Sequence, residues 1–412
     1  MINDIEWKMV KLGDVATIIR GGSPRPIEDY ITDSSDGINW IKIGDVAVGA
    51  KYIEHTEEKI ISEGLYKSRS VKAGDFLLSN SMSFGRPYIL KIDGAIHDGW
   101  LAIQDYNDTF EIEYLYYVLL TDFVLGQYKS MAAGSSVLNL NKQIVGKVKI
   151  PIPYKNGAPD LETQKQIAQK LGDMDSLIAA KEKLLAKKRN LKVAAMQKLI
   201  KDEEGENWKK VKLGEVATIV RGGSPRPIEN FITNSSDGIN WIKIGDVAVG
   251  AKYIEQTEEK IIPEGMCKSR AVRAGDFLLS NSMSFGRPYI LKIDGAIHDG
   301  WLAIQNYSKT FDTDYLYYVL SSDVVLNQYL SMAAGSSVLN LNKQIVSKVV
   351  IPAPVKSSEE FDLTEQRRIA SILSDMDCEI AAIEKEITKL QDLKTAMMQK
   401  MFCFGDSDSS SE

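Results

Sequence analysis

Cysteine and histidine are scarce in this chain, and their scarcity removes whole classes of function. The three cysteines, Cys267, Cys378 and Cys403, are too few and too scattered for a disulfide framework or a zinc site. The reducing cytoplasm is therefore the expected compartment. No apolar run approaches the roughly 18–20 residues that span a bilayer, and the opening MINDIEWKMVKLGD has neither the basic nor the apolar part of a signal peptide. Excess positive charge is absent too: the formal net charge is −6. A strongly basic chain would point to nucleic acid. This balance counts against a nucleic-acid binder acting alone. The end of the chain, 405–412, is polar and acidic and is expected to be disordered.

Catalytic motifs are missing as well. The three histidines are His55, His97 and His298. No HExxH or Cys/His cluster suggests a metal. There is no GxxxxGK[ST] phosphate loop, no GxGxxG after a strand, no GxSxG elbow and no [ND]PP[YF] tetrapeptide. His97 and His298 lie in two copies of GAIHDGW, where a His-Asp pair could serve acid–base chemistry. A hydrogen-bonded turn histidine is the simpler reading.

What the chain does have is itself, twice. RGGSPRPIE occurs at 20–28 and again at 221–229, 201 positions on. The same offset relates SSDGINWIKIGDVAVGAKYIE at 34–54 to 235–255, and SMAAGSSVLNLNKQIV at 130–145 to 331–346. The 31 residues GDFLLSNSMSFGRPYILKIDGAIHDGWLAIQ recur at 74–104 and 275–305. The offset then becomes 202, where Gln164-Lys165-Gln166-Ile167-Ala168 matches Gln366-Arg367-Arg368-Ile369-Ala370. A period this long is a domain and not a solenoid repeat, so the chain reads as a pseudo-dimer with an internal two-fold axis.

Each copy divides in two. The first part, 1–152 and 206–353, is α+β: short apolar stretches such as INWIKIGDV and PYILKI, separated by Gly, Asp and Ser, read as strands. Tyr114–Leu120 reads as a helix. The IPIP at 150–153 and the IPAP at 351–354 are expected to end the strand region, because proline cannot continue a ladder. The second part, 153–205 and 354–404, is predicted to be one long helix. In copy two, Ile369, Leu373, Met376, Ile380, Ile383, Ile387, Leu390, Met397 and Met401 follow a heptad. Copy one has a looser set: Ile167, Leu171, Met174, Ile178, Leu185, Leu191 and Leu199. A helix of about 40 residues is roughly 60 Å long. The sustained heptad predicts that the two helices pack on each other as an antiparallel coiled coil, with the globular parts at opposite ends. The competing arrangement folds each helix back on its own globular part.

Three polar loops per copy could touch something outside. Arg20–Pro26 contains Ser23 and Arg25. Ser79–Arg86 contains Asn80, Ser83 and Arg86, whose guanidinium suits guanine O6/N7 or a phosphate. Ala133–Gln143 contains Ser135 and Asn139, chemistry suited to adenine edges and phosphates. Their repeats are Ser224, Arg226, Asn281, Ser284, Arg287, Ser336 and Asn340. Each also has a bland reading: Arg25 could brace its own loop, and Asn139 could cap the helix that follows.

Order and duplication together carry a resemblance. Each copy opens VKLG[DE]VATI[IV]RGGSPRP, and an IP-x-P segment and a Gln-x-x-Ile-Ala motif introduce each helix. LGDMDSLI and LSDMDCEI then match an L-x-x-[IM]-D stretch. Over essentially its whole length the chain resembles the specificity subunit of Type I restriction-modification systems. That resemblance implies a non-catalytic reader of double-stranded DNA, each globular part being a target recognition domain for half of a split site. It implies helices that dock two modification (methyltransferase) subunits; on those helices Gln164, Ile167, Asp175, Gln366, Ile369 and Asp377 are the candidate partner-binding residues. Cofactors would sit elsewhere: S-adenosylmethionine on the methyltransferase, ATP and Mg on restriction subunits, two of which can join. Two alternatives remain open at this point, a duplicated hydrolase using His97-Asp98 and His298-Asp299, and a scaffold that binds no DNA.

Overall fold

A computed structural model describes residues 5–47, 49–80, 84–133, 139–200, 205, 207–248, 250–281, 285–334, 340–357 and 360–402. The chain forms two compact units. Unit 1 comprises residues 1–182 and 385–412, and unit 2 comprises 183–384.

In unit 1 two five-stranded mixed sheets lie face to face. One has the order Thr17–Arg20, Trp100–Gln104, Phe76–Ser79, Pro87–Leu90, Tyr52–Ile53; the other Ile31–Thr32, Glu58–Ile60, Ile38–Ile41, Gly94–Ile96, Ser70–Val71. Strand alternation sorts the side chains between layers. Leu77, Tyr88, Trp100 and Ala102 meet Ile41, Val71 and Ile96 between the sheets. Phe76, Leu78, Leu101 and Ile103 face the other way, into a larger core under the helices Ile112–Leu119, Asp122–Ala132 and Lys142–Lys147. Unit 2 repeats these layers with Leu278, Tyr289, Trp301 and Ala303 between its sheets. The predicted strands and the predicted helix are all present, with INWI as the strand portion of INWIKIGDV.

In unit 1 the prolines do not end the strand region, whereas in unit 2 the strand Val350–Pro354 stops at the second proline as expected. The strand Lys149–Lys155 runs through Pro151 and Pro153, opposite Met9 and Trp7 of the antiparallel strand Glu6–Lys11. Neither proline's carbonyl serves that partner. Pro151 O accepts from the Tyr114 hydroxyl at 2.8 Å and Pro153 O from the Asp160 N–H at 2.8 Å. Both prolines thus occupy positions whose missing N–H would point away from the neighbouring strand, where the ladder does not need it. In unit 2, Pro352 O accepts from Tyr315 and Pro354 O from Asp362 in the same way.

The long helices are Leu161–Leu199 and Leu363–Phe402, within the predicted 153–205 and 354–404. Asp160 starts the first by accepting the Thr163 N–H at 3.1 Å. Asp362 does the same for the Thr364 and Glu365 N–H groups at 3.0 Å. Both predicted packings of these helices occur, one after the other along each helix. In unit 1, Ile167, Ala168 and Leu171 enter the core of their own globular part, and Phe402 enters it from the end of the other helix, with Met397, Met398 and Met401 beside it. The two segments run antiparallel: Asp175 pairs with Lys394, and Lys181 with Glu386 at 2.7 Å. In unit 2, Ile369, Ala370 and Leu373 are joined by Ile200, Leu199 and Met196. Lys188–Glu379 and Arg189–Glu384, each at 2.6 Å, and Lys192–Asp377 set the same antiparallel sense. Three of these pairs are exposed and two part-buried, and the exposed ones set register more than stability.

Leu191 leaves the predicted seam. It is 46% exposed and shares a seven-residue spacing with Leu177 and Leu184, which are also exposed. Six residues, not seven, separate it from Leu185, so the inward position passes to Lys192 and Met196, both half-buried.

Candidate nucleic-acid interface

The turn His97-Asp98-Gly99, between the strands Gly94–Ile96 and Trp100–Gln104, gathers the polar loops. Gly21 and Gly22 let the first loop lie flat against it: a Cβ on Gly21 would come within 2.1 Å of His97 O. The Asp98 N–H donates to Ser23 Oγ at 3.3 Å, and an Arg25 Nη lies 3.5 Å from an Asp98 carboxylate oxygen. Arg20 Nε donates to Asp98 O at 3.4 Å. The second loop joins through Asn80, whose N–H donates to Gly99 O at 3.1 Å and whose side-chain NH2 donates to Asp98 O at 3.2 Å. The third loop joins through Leu140, whose N–H donates to Asn80 O at 2.9 Å. Three segments far apart in sequence therefore meet around one turn and the residue beside it.

Unit 2 builds the same cluster. Arg226 lies 3.2 Å from the Asp299 carboxylate, and Ser224 Oγ donates to the other Asp299 oxygen at 3.1 Å. Burial works against ionisation of Asp299, but the Ser224 hydroxyl, His298 and Arg226 outweigh it and hold the carboxyl below its usual range. Beside the cluster is an open hollow of about 690 Å³, lined by Arg226, Ile228, Trp241, Lys243 and His298 among others.

The predicted residues fall into different places. Arg25 and Arg226 are strongly exposed, and Asn139 and Asn340 are exposed. Ser23 and Ser224 are half-buried braces of their loop. Asn80 and Asn281 are buried and hold loops together, their side-chain NH2 groups donating to Asp98 O and Asp299 O. Arg86 and Arg287 stack over Tyr88 and Tyr289, 5.9 and 5.7 Å from the ring centroids. The Arg86 Nε is buried without a hydrogen-bond partner among the described residues. Ser83, Ser135, Ser284 and Ser336 lie outside the described residues, as does the tail 405–412. The cap of helix Lys142–Lys147 is Asn141, which accepts the Ile144 N–H at 3.0 Å, and not Asn139. The reason is register: Asn141 stands three residues before that N–H.

The six helix residues predicted to bind partners are engaged within the chain. Gln164 is fully buried: its Oε1 accepts the Glu111 N–H at 2.9 Å and its Nε2 donates to Thr109 O at 2.9 Å. Gln366 does the same for Asp312 N–H and Thr310 O. Ile167 and Ile369 are core. Asp175 accepts from the Tyr117 hydroxyl at 2.8 Å and pairs with Lys394; Asp377 accepts from Tyr318 at 2.8 Å and pairs with Lys192. The same joint holds a cation the sequence reading missed. Lys51 is bonded to Glu113 and lies 4.5 and 4.9 Å from the Tyr116 and Tyr117 ring centroids. Its only sequence signal is an unremarkable lysine before Tyr52. Asp98 and Asp299 were legible only as halves of a His-Asp pair.

That pair is tied into its own turn: His97 Nδ1 accepts the Gly99 N–H at 3.0 Å and Nε2 faces the Asp98 carboxylate at 3.1 Å. Both nitrogens are engaged within the turn, as they are in His298. Among the described residues no group of three or more His, Cys, Asp or Glu could hold a metal, and no helix is long and apolar enough to cross a membrane.

Fold and loop cluster define a class: a duplicated recognition module, each copy a layered sheet domain tied to a long helix. The model of the Type I restriction modification DNA specificity domain matches residues 4–187 and again 205–392, and the chain belongs to that family. It is the DNA-recognition subunit of a Type I restriction-modification system, and its partners are DNA and the other components of that complex. Two specificity subunits of Methanocaldococcus jannaschii, MjaVIII and the putative MjaX, are each 25% identical over 95% of this chain, covering 91% and 92% of their own lengths. Among solved structures, the HsdS subunit of Thermoanaerobacter tengcongensis has a TM-score of 0.53 at 20% identity, covering 96% of both chains. The S subunit of M. genitalium has a TM-score of 0.54 at 15% identity, covering 97% of both. These two likenesses concern the fold.

Proposed function

We propose that the two globular parts read two near-identical half-sites in inverted orientation, so that the target is an interrupted palindrome. One observation carries this reading: the loop clusters of the two units match residue for residue and share the bonds that tie Ser23, Arg25 and Asn80 to Asp98 and Ser224, Arg226 and Asn281 to Asp299. Equal readers in inverted orientation would address opposite strands. Two-fold readers on one face of DNA sit about 10 bp apart, and with about 3–4 bp read per half the unread gap is roughly 6–7 bp. In this reading the chain is non-catalytic, acts in the cytoplasm and carries no cofactor. S-adenosylmethionine belongs to two modification subunits that methylate adenine, and ATP and Mg to any restriction subunits. Docking of those subunits falls to outward faces of the helices, since the six buried or paired residues are already engaged.

The test is a map of modified adenines in the source genome with and without this gene. A split motif with matching inverted halves, lost on deletion, is the expected result. Unequal halves would refute the equal-reader argument, and an unchanged map with an active methyltransferase present would refute the reading altogether. Within this reading, Arg86→Ala with Arg287→Ala should weaken target binding by about 1–3 kcal/mol per lost bidentate base contact. Titration of the target duplex checks it, and unchanged affinity and specificity would remove both arginines from the interface.

A further inference from the structure

Arg25 poses a problem for a DNA reader: its side chain is 82% exposed, yet its charge is already answered by Asp98. Arg226 is 80% exposed and answered by Asp299. The carboxylate is fixed and the arginine is not. Asp98 is held at its N–H by Ser23, at its C=O by Asn80 and Arg20, and at its second carboxylate oxygen by His97. Arg25 is a long chain in water, and an ion pair so exposed is weak. A phosphate or a guanine edge, which offers charge-assisted or bidentate bonds, can displace a pair that weak. Until it does, the carboxylate repels phosphates and cancels one positive charge at the surface where the three loops meet.

We propose that Asp98 and Asp299 are positioning residues that restrain Arg25 and Arg226 over the loop cluster, aiming each arginine at target DNA while suppressing its binding to non-target DNA. This rests on the reading that the loop cluster faces DNA. It adds an element of discrimination outside the base contacts: exchange of partners by the arginine is favourable only where the duplex presents its acceptor in the place to which the aspartate has aimed it.

The experiment uses the full chain assembled with its modification subunits and two duplexes, one carrying the mapped target and one with the same composition scrambled. Affinity is measured against NaCl concentration for the wild type, Asp98→Asn with Asp299→Asn, Arg25→Ala with Arg226→Ala, and all four substitutions together. Asparagine keeps the shape and can still accept from His97. Freed arginines should each neutralise one more phosphate, so the slope of log affinity against log salt on scrambled DNA steepens by about 0.9 per reader, or about 1.8 for the pair. The target-to-scrambled ratio should fall about tenfold or more, and the fourfold variant should return to the slope of the arginine variant. A slope changed by the arginine variant but not by the aspartate variant overturns the role of the aspartates alone. So does an equal loss on both duplexes with the ratio intact. An arginine variant indistinguishable from wild type on both duplexes overturns the proposal together with the reading of the site beneath it.

Discussion

Replacing Gln164 by alanine is expected to lower the stability of unit 1 by about 2–6 kcal/mol, since two buried backbone groups lose their partners and each costs about 1–3. Gln164 is the joint between helix and globular part. Its amide accepts from the Glu111 N–H and donates to Thr109 O, both in the segment that leads into helix Ile112–Leu119. The site needs a donor and an acceptor on one planar group, and the nearby amides of Gln166 and Gln169 are bonded to Glu162 and Asp173 on the exposed face instead. The neighbouring Ile167, Ala168 and Leu171 offer only apolar surface. Gln366→Ala should do the same in unit 2, where Asp312 N–H and Thr310 O are the groups left unpaired. Amide hydrogen exchange resolves the two cases, because the loss should be confined to the unit carrying the substitution. A cost below about 1 kcal/mol would mean that water replaces the amide, contrary to the buried geometry.

Phe402→Ala should cost about 3–5 kcal/mol, the range for truncating a buried phenylalanine. Phe402 is 1% exposed and meets Tyr114 edge-on at 5.5 Å between ring centroids. It ends the second helix but fills the core of unit 1. Exchange should therefore rise in the helix Ile112–Leu119 and in the segment after Lys385, while unit 2 keeps its protection. The matching position in unit 2 is Ile200, which is also buried. Ile200→Ala should cost about 2–5 kcal/mol there. Uniform loss across both units from either substitution would contradict the division of the cores.

Much of this architecture could be read directly. A 201-residue offset needs no structure to see, and the heptad of Ile369 to Met401 gives the second helix its seam. Other features depend on geometry that a one-dimensional pattern lacks. Pro151 and Pro153 look like strand breakers until the direction of each missing N–H is known. Gln164 looks like a surface contact because glutamine usually is one; only the loop folded beneath it shows that both ends of its amide are engaged. Leu191 fits an apolar count but not the helical phase, by one residue. At the candidate interface, loop chemistry singled out three segments but not their meeting point. Asn80 sits inside it and Arg25 on its surface, a distinction set by the turn at Asp98 and invisible in composition.

The exchange of helix ends also sets an order of assembly during translation. Unit 2 is continuous in the chain, residues 183–384, so every piece of it has left the ribosome once its own stretch of the second helix has emerged. Unit 1 is made first but closed last: its sheets and helices are complete by residue 182, yet its core waits for Met397, Met398, Met401 and Phe402. A nascent chain thus carries an open apolar groove on its oldest part for more than 200 residues of synthesis, and the half that begins folding first is the half that finishes second.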